Sequence, residues 1–196
     1  MLQRPRINTF SAHFLRKVRL FLFSKCVCSD DNMKCGERMQ DLKRITACFT
    51  GHRNIPPEDL PMVKEKLRKV LIKSIENGYR FFGAGGARGF DILAEQTVLE
   101  LKSEYPMIKL ILVLPCKEQT RGWTQHDIAE YEKMKAKADK VVYTSEHYYN
   151  GCMHKRNRHL VDHSNLCICY YTGQKGGTEY TVEYAKEKGV QVINLY

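Results

Sequence analysis

Residues 108–116 read Ile108-Lys109-Leu110-Ile111-Leu112-Val113-Leu114-Pro115-Cys116. From Leu110 to Leu114 the apolar residues are consecutive, so neither face of an extended chain here is polar. Such a strand must be covered on both sides, which is the situation of a parallel sheet between helical layers. Similar short apolar runs occur at 45–50, 79–83, 141–144, 166–171 and 190–195.

Longer amphipathic stretches separate these runs. Leu60, Val63, Leu67, Val70, Leu71 and Ile75 mark one face of a helix, and Lys64, Glu65, Arg68, Lys69 and Lys73 mark the other. Asp59 is placed to cap this helix and Gly78 to end it. Further helices are predicted over 89–103, 127–138, 154–162 and 178–188. The alternation predicts an α/β fold: a Rossmann-like, doubly wound, mostly parallel sheet of about six strands with helices on both faces. Right-handed crossovers then gather the βα loops at the C-terminal ends of the strands.

Composition agrees with a folded domain. Of the 196 residues, 43% are hydrophobic and 28% charged, so a core is available and global disorder is excluded. No stretch approaches the roughly 18 uninterrupted apolar residues of a membrane span. The formal net charge is +10, but residues 1–44 hold 10 of the 32 Lys+Arg and only 4 of the 22 Asp+Glu. That leaves +4 for residues 45–196, too little to argue for nucleic acid. Residues 1–43 are read as a basic, flexible extension and 44–196 as the domain. Within the extension, Phe10, Phe14, Val18, Phe21 and Leu22 fall near helical spacing among Arg16, Lys17 and Arg19. An Arg-rich presequence and a segment lying on an anionic membrane are its alternative readings.

The eight cysteines include no CxxC pair, and Cys48, Cys167 and Cys169 lie inside strand-like runs. They read as reduced, buried thiols of a cytoplasmic protein. His159 and His163 have metal-ligand spacing, but no Glu stands between them and no CxxC completes a site. No metal and no cofactor is expected.

The chemistry collects in the loops. Thr50-Gly51-His52-Arg53 follows the first strand. Gly83-Ala84-Gly85-Gly86-Ala87-Arg88-Gly89-Phe90-Asp91 follows the second and enters a helix. Gly173-Gln174-Lys175-Gly176-Gly177-Thr178-Glu179 follows the fifth and enters another. Glycines let an anion approach the backbone, and a helix N-terminus presents unpaired N–H groups to it. The expected ligand contacts are Thr50, Gly51, His52, Arg53, Gly85, Gly86, Ala87, Arg88, Gly89, Asp91, Trp123, Arg156, Gly176, Gly177, Thr178 and Glu179. Gly85, Gly86 and Gly89 would form one anion nest, and Gly176, Gly177 and Thr178 the other. Arg53 and Arg156 would neutralise phosphate, and Trp123, the only tryptophan, would either cover a base or pack as a lid or core anchor. His52 would either touch the phosphate or fix its loop, and Asp91 would cap its helix or accept a ribose hydroxyl.

Magnitudes narrow the ligand. A helix terminus contributes about 0.3–2 kcal/mol toward an anion, whereas micromolar binding needs about 8 kcal/mol. Arginine forks and stacking of a base, the latter worth roughly 1–3 kcal/mol, must supply the rest. A nucleotide-like small molecule is therefore expected rather than bare phosphate.

These motifs resemble the SLOG superfamily, whose Rossmann-like domains include the LOG phosphoribohydrolases and DprA, and most of all its YpsA-like branch. The resemblance is carried by Thr50-Gly51-His52-Arg53, by Gly85-Gly86-Ala87-Arg88-Gly89-Phe90-Asp91, by Pro115 with Gln119 and Trp123, and by Gly176-Gly177-Thr178-Glu179-Tyr180-Thr181-Val182. It implies a domain that binds a nucleotide or nucleotide-derived ligand in a sensory or regulatory role. The LOG enzymes carry a Met-His-x-Arg-Lys stretch, matched by Met153-His154-Lys155-Arg156-Asn157, with Asn157 in place of the lysine. Their catalytic glutamate has Glu179 and Glu183 as its nearest neighbours in sequence, both off register. The resemblance thus implies two alternatives: N-glycosidic hydrolysis of a nucleoside 5′-monophosphate, with Arg156, Glu179, Glu183 and Asp91 as catalytic candidates, and DprA-like binding of single-stranded nucleic acid. The oligomeric state, including a homo-oligomer, is left open.

Overall fold

The computed structural model describes residues 39–196. The expectations for the first 38 residues lie outside the described residues. The elements run β1 (Thr46–Gly51), α1 (Leu60–Glu76), β2 (Phe81–Ala84), α2 (Phe90–Leu101), β3 (Lys109–Leu114), α3 (Gln125–Lys137), β4 (Lys140–Tyr143), α4 (Cys152–Asp162), β5 (Leu166–Tyr170), α5 (Gly177–Glu187) and β6 (Gln191–Asn194). Residues 39–44 are helical and feed β1 directly, with the Thr46 hydroxyl donating to the Leu42 carbonyl at 2.7 Å.

The strands form one six-stranded sheet in the order β4-β3-β2-β1-β5-β6, with every pairing parallel. The chain winds from β1 outward to β4, then returns to lay β5 on the other side of β1. Cys48 pairs with Cys167 and Thr50 with Cys169. The C-terminal ends of β1 and β5 thus flank the point where the strand order reverses, the place where open α/β sheets leave a crevice.

The alternation of side chains sorts the two layers. Ala47, Phe49, Phe82, Ala84, Leu110, Leu112, Leu114, Ile168 and Tyr170 join the core formed with Leu67 and Leu71 of α1, Phe90 and Val98 of α2, and Tyr131 and Met134 of α3. The intervening residues face α4 and α5. A Cβ on Gly83 would come within 2.9 Å of Leu160 Cδ2, so this glycine lets α4 sit close to β2. All five residues of the Leu110–Leu114 run are buried, as a strand covered on both faces requires.

One capping expectation is corrected. Asp59 precedes α1 but makes no side-chain cap. Its Oδ2 instead accepts the Tyr170 hydroxyl at 3.0 Å, tying the start of α1 to the end of β5. A long-range phenol donor outcompetes the local N–H groups. Among the described residues, no helix is long and apolar enough to cross a membrane.

Candidate functional site

A cavity of about 320 Å³ opens at the reversal point. Its walls come from Phe49–Arg53 at the end of β1, from Ala87 and Asp91, from Met153, Arg156 and Asn157 of α4, and from Gln174–Thr178 at the entry to α5. A second cavity, of about 330 Å³, adjoins it and shares Arg53, Ala87, Met153 and Arg156. Glu118, Gln119, Arg121, Trp123 and Tyr148 complete the second. Of the expected contacts, the structure brings together Thr50, Gly51, His52, Arg53, Ala87, Asp91, Arg156, Gly176, Gly177 and Thr178 in the first cavity and Trp123 in the second.

The two glycine-rich turns are not equivalent. In the first, Asp91 Oδ2 accepts the N–H groups of Gly85 at 3.1 Å and Ala87 at 3.3 Å, and Glu95 Oε1 accepts that of Gly86 at 3.2 Å. The chain's own carboxylates thus occupy the expected nest, so Gly85 and Gly86 do not line the crevice. Asp91 Oδ2 is spent on these loop N–H groups, and Asp91 itself lines the first cavity. Gly89, at φ 75°, lets the turn pass close against the backbone at His52 and Arg53, and the Phe90 N–H donates to the His52 carbonyl at 3.1 Å. Gly51 has a packing reason as well, because a Cβ there would lie 2.5 Å from the Phe90 ring.

Arg156 fills the space that Gly85 vacates. Its side chain is 8% exposed, its Nη1 lies 3.6 Å from Asp91 Oδ2, and its Nε has no hydrogen-bond partner. Burial pulls the guanidinium below its ordinary pKa, while the Asp91 charge holds it up. It still stays protonated, because arginine starts so high. Burial pushes Asp91 up, and Arg156 with the Ala87 and Gly85 N–H groups pulls it back. Glu95 is raised well above the usual carboxylate range by burial, with the Asp91 charge adding to it. The cluster therefore holds a buried cation paired with Asp91 but with its Nε unpartnered, in a residue that lines both cavities.

The second turn leaves its backbone open. Gly176 adopts φ 147° and Gly177 begins α5. The only acid in the first turn, Glu179, reaches back to the Gly176 N–H at 3.4 Å. Asn157 donates to the Thr181 hydroxyl at 2.8 Å, and that hydroxyl donates to the Gly177 carbonyl at 2.7 Å, so α4 holds the start of α5 in place. Thr178 is buried in the crevice wall.

His52 fixes its loop. Its Nε2 accepts the Thr172 N–H at 3.0 Å, bridging the ends of β1 and β5. Burial lowers its pKa, in keeping with a neutral ring whose proton sits on Nδ1. Trp123 packs edge-on against Tyr131 with ring centroids 5.8 Å apart, and the Arg88 guanidinium carbon lies 5.6 Å from the Trp123 ring centroid. Arg88 also pairs with Asp127 at 3.2 Å, which directs it to the tryptophan rather than to either cavity.

Two catalytic candidates are displaced. Glu183 is exposed and pairs with Lys186 at 2.8 Å, and neither Glu183 nor Glu179 lines either of these two cavities. A helix turns its side chains by about 100° per residue, so inward Thr178, Thr181 and Val182 carry both glutamates outward. Conversely, Glu95, Asn157, Gln174 and Lys175 join the site without having been expected. The spacing of Asp91 and Glu95, four apart on the inward face with Ala94 and Val98, was the signal available for Glu95.

The YpsA family model, for the YspA SLOG family, matches residues 50–193. The SPbeta prophage-derived protein YoqJ of Bacillus subtilis (strain 168) is 34% identical over 139 residues, covering 64% of this chain and 81% of that protein. A UPF0398 protein of Bacillus thuringiensis (strain Al Hakam) is 30% identical over 130 residues, covering 65% and 71%. Among solved structures, DNA processing protein A of Helicobacter pylori, known for its single-stranded DNA binding mode, aligns with a TM-score of 0.57 at 19% identity over 80% of this chain and 67% of that one. DNA processing protein A of Streptococcus pneumoniae aligns with a TM-score of 0.59 at 19% identity, over 78% of this chain but only half of its own length. At that identity the structural likeness establishes the Rossmann-like fold alone. The family match runs from the end of β1 into β6, across every loop that lines the crevice, and the chain belongs to the YspA SLOG family.

Proposed function

We propose that the crevice binds the phosphate of a nucleotide or nucleotide-derived metabolite, in a sensory or regulatory role. The observation that carries this reading is Arg156: a buried arginine with an unpartnered Nε, at the wall shared by both cavities. A buried cation with a spare donor is costly unless an anion completes it. The open N–H groups at Gly177 and Thr178, with Lys175 and Arg53 at the rim, are suited to the same charge.

The energetics favour an extended ligand. Charge-assisted hydrogen bonds contribute about 1.5–3 kcal/mol each, and the helix terminus at most about 2 kcal/mol. Contacts in the second cavity must supply the remainder for micromolar affinity, which places the nonphosphate part of the ligand beside Trp123. Binding without turnover is preferred over N-glycosidic hydrolysis, because Glu179 and Glu183 stand outside both cavities and Asp91 is committed to Gly85 and Ala87. Calorimetric titration of the full chain with nucleoside 5′-monophosphates and with the matching nucleosides tests this reading. Binding that requires the 5′-phosphate supports it. Equal binding of nucleoside and nucleotide, or retention of single-stranded DNA with a steep salt slope and no nucleotide competition, refutes it.

A further inference from the structure

Gln119 lines the second cavity and carries a buried acceptor without a partner. The residue is 5% exposed and lies in the cavity wall. Its Nε2 donates to the carbonyls of Gly85 at 3.0 Å and Gly86 at 2.9 Å. Both amide hydrogens are thereby used. The amide cannot turn over, since that would set Oε1 against two carbonyl oxygens. Oε1 is thus fixed, recessed, and without a hydrogen-bond partner. Leaving such an acceptor empty costs free energy that a ligand N–H would recover.

The surroundings suit a planar ring. Trp123 and Tyr148 are the aromatic residues of this cavity, and the Tyr148 N–H donates to Glu118 Oε2 at 3.1 Å, which fixes that segment at the mouth. Arg53 and Arg156 lead from here into the phosphate crevice. A recessed acceptor is reached best by a donor that projects from its ring. An exocyclic amino group does so. A ring N–H of a keto base is flanked by its own carbonyl oxygen, which would approach Gln119 Oε1 with like charge.

We propose that Gln119 is a specificity-determining residue that selects a ligand bearing an exocyclic amino group on its base, over the keto counterpart. The inference rests on the phosphate-binding reading above. The test compares CMP with UMP, and AMP with IMP, by calorimetry on the full chain, then repeats the better pair on Gln119→Met. At least one amino member should bind about tenfold or more tighter than its keto partner. The ratio should fall toward one in Gln119→Met. Should that variant fail to fold by circular dichroism, the wild-type ratios alone decide. Equal affinity within both pairs, or a keto preference, overturns the role of Gln119 while leaving phosphate binding intact. An amino preference that persists in a folded Gln119→Met overturns its assignment to this residue. No binding by any of the four nucleotides contradicts the phosphate reading itself.

Discussion

The guanidinium of Arg156 occupies the space where a side chain on Gly85 would stand, since a Cβ built there would fall on Nη1. The glycine at the end of β2 thereby makes room for the arginine of α4, and Asp91 bonds the Gly85 N–H while flanking that arginine. Glycine at 85 is a packing requirement of the site rather than a direct phosphate contact.

Gly85→Ala should therefore lower stability by about 2 kcal/mol or more through overpacking and loss of the Asp91–Arg156 pairing. Gly177→Ala meets nothing within 4 Å of the added Cβ and has an ordinary φ. It should leave stability within about 1 kcal/mol of wild type. Urea melts of the two variants separate the roles of the two glycine-rich turns.

Arg156→Lys keeps the charge but loses the planar fork and the Nε donor. Nucleotide affinity should fall by about tenfold or more, with the fold retained by circular dichroism. Arg156→Met should be far less stable, because it strands the buried Asp91 carboxylate without its cation.

Glu95 supplies a pH prediction. Its pKa is raised by burial and by Asp91, so the native state holds a proton that the unfolded chain has already released. Stability from this group is complete below the unfolded value, 4.5, and is lost as pH rises toward the folded one. Glu95→Gln keeps an oxygen for the Gly86 N–H and removes the titration. Its melting temperature should exceed that of wild type at pH 8, and the gap should close by about pH 4.5.

His159 has the opposite sign. Its pKa is lowered to about 4, by burial first and then by His163. The unfolded chain takes up this proton first, so stability is complete above the ordinary value of 6.5 and declines as pH falls toward 4. The imidazole resonances of His159 should titrate near 4 in an NMR series. A midpoint above 6 would contradict the buried environment on α4.

The fold was legible from the apolar runs because a strand covered on both faces leaves a continuous signature, as Leu110–Leu114 does. The sheet order was not, since register across β1 and β5 is set by long-range packing. Most of the crevice was legible for the same topological reason: βα loops meet at one edge, and Thr50–Arg53 and Gly176–Thr178 are such loops. The glycines of 83–91 misled because glycine serves close packing and anion contact alike. Only tertiary burial shows that Asp91 and Glu95 turn inward to take the N–H groups. Gln119 stood among the residues of the family resemblance, but its fixed amide depends on carbonyls 33 and 34 residues away in sequence.

The central claim concerns where a nucleotide phosphate sits, and amide NMR of the ¹⁵N-labelled protein titrated with the tightest-binding nucleoside monophosphate tests it most directly. The expected shifts concentrate at Gly177, Thr178 and Arg53, with the Arg156 Nε–H moving downfield. Shifts confined to surfaces away from the reversal point between β1 and β5, with those four signals unmoved at saturation, would contradict it.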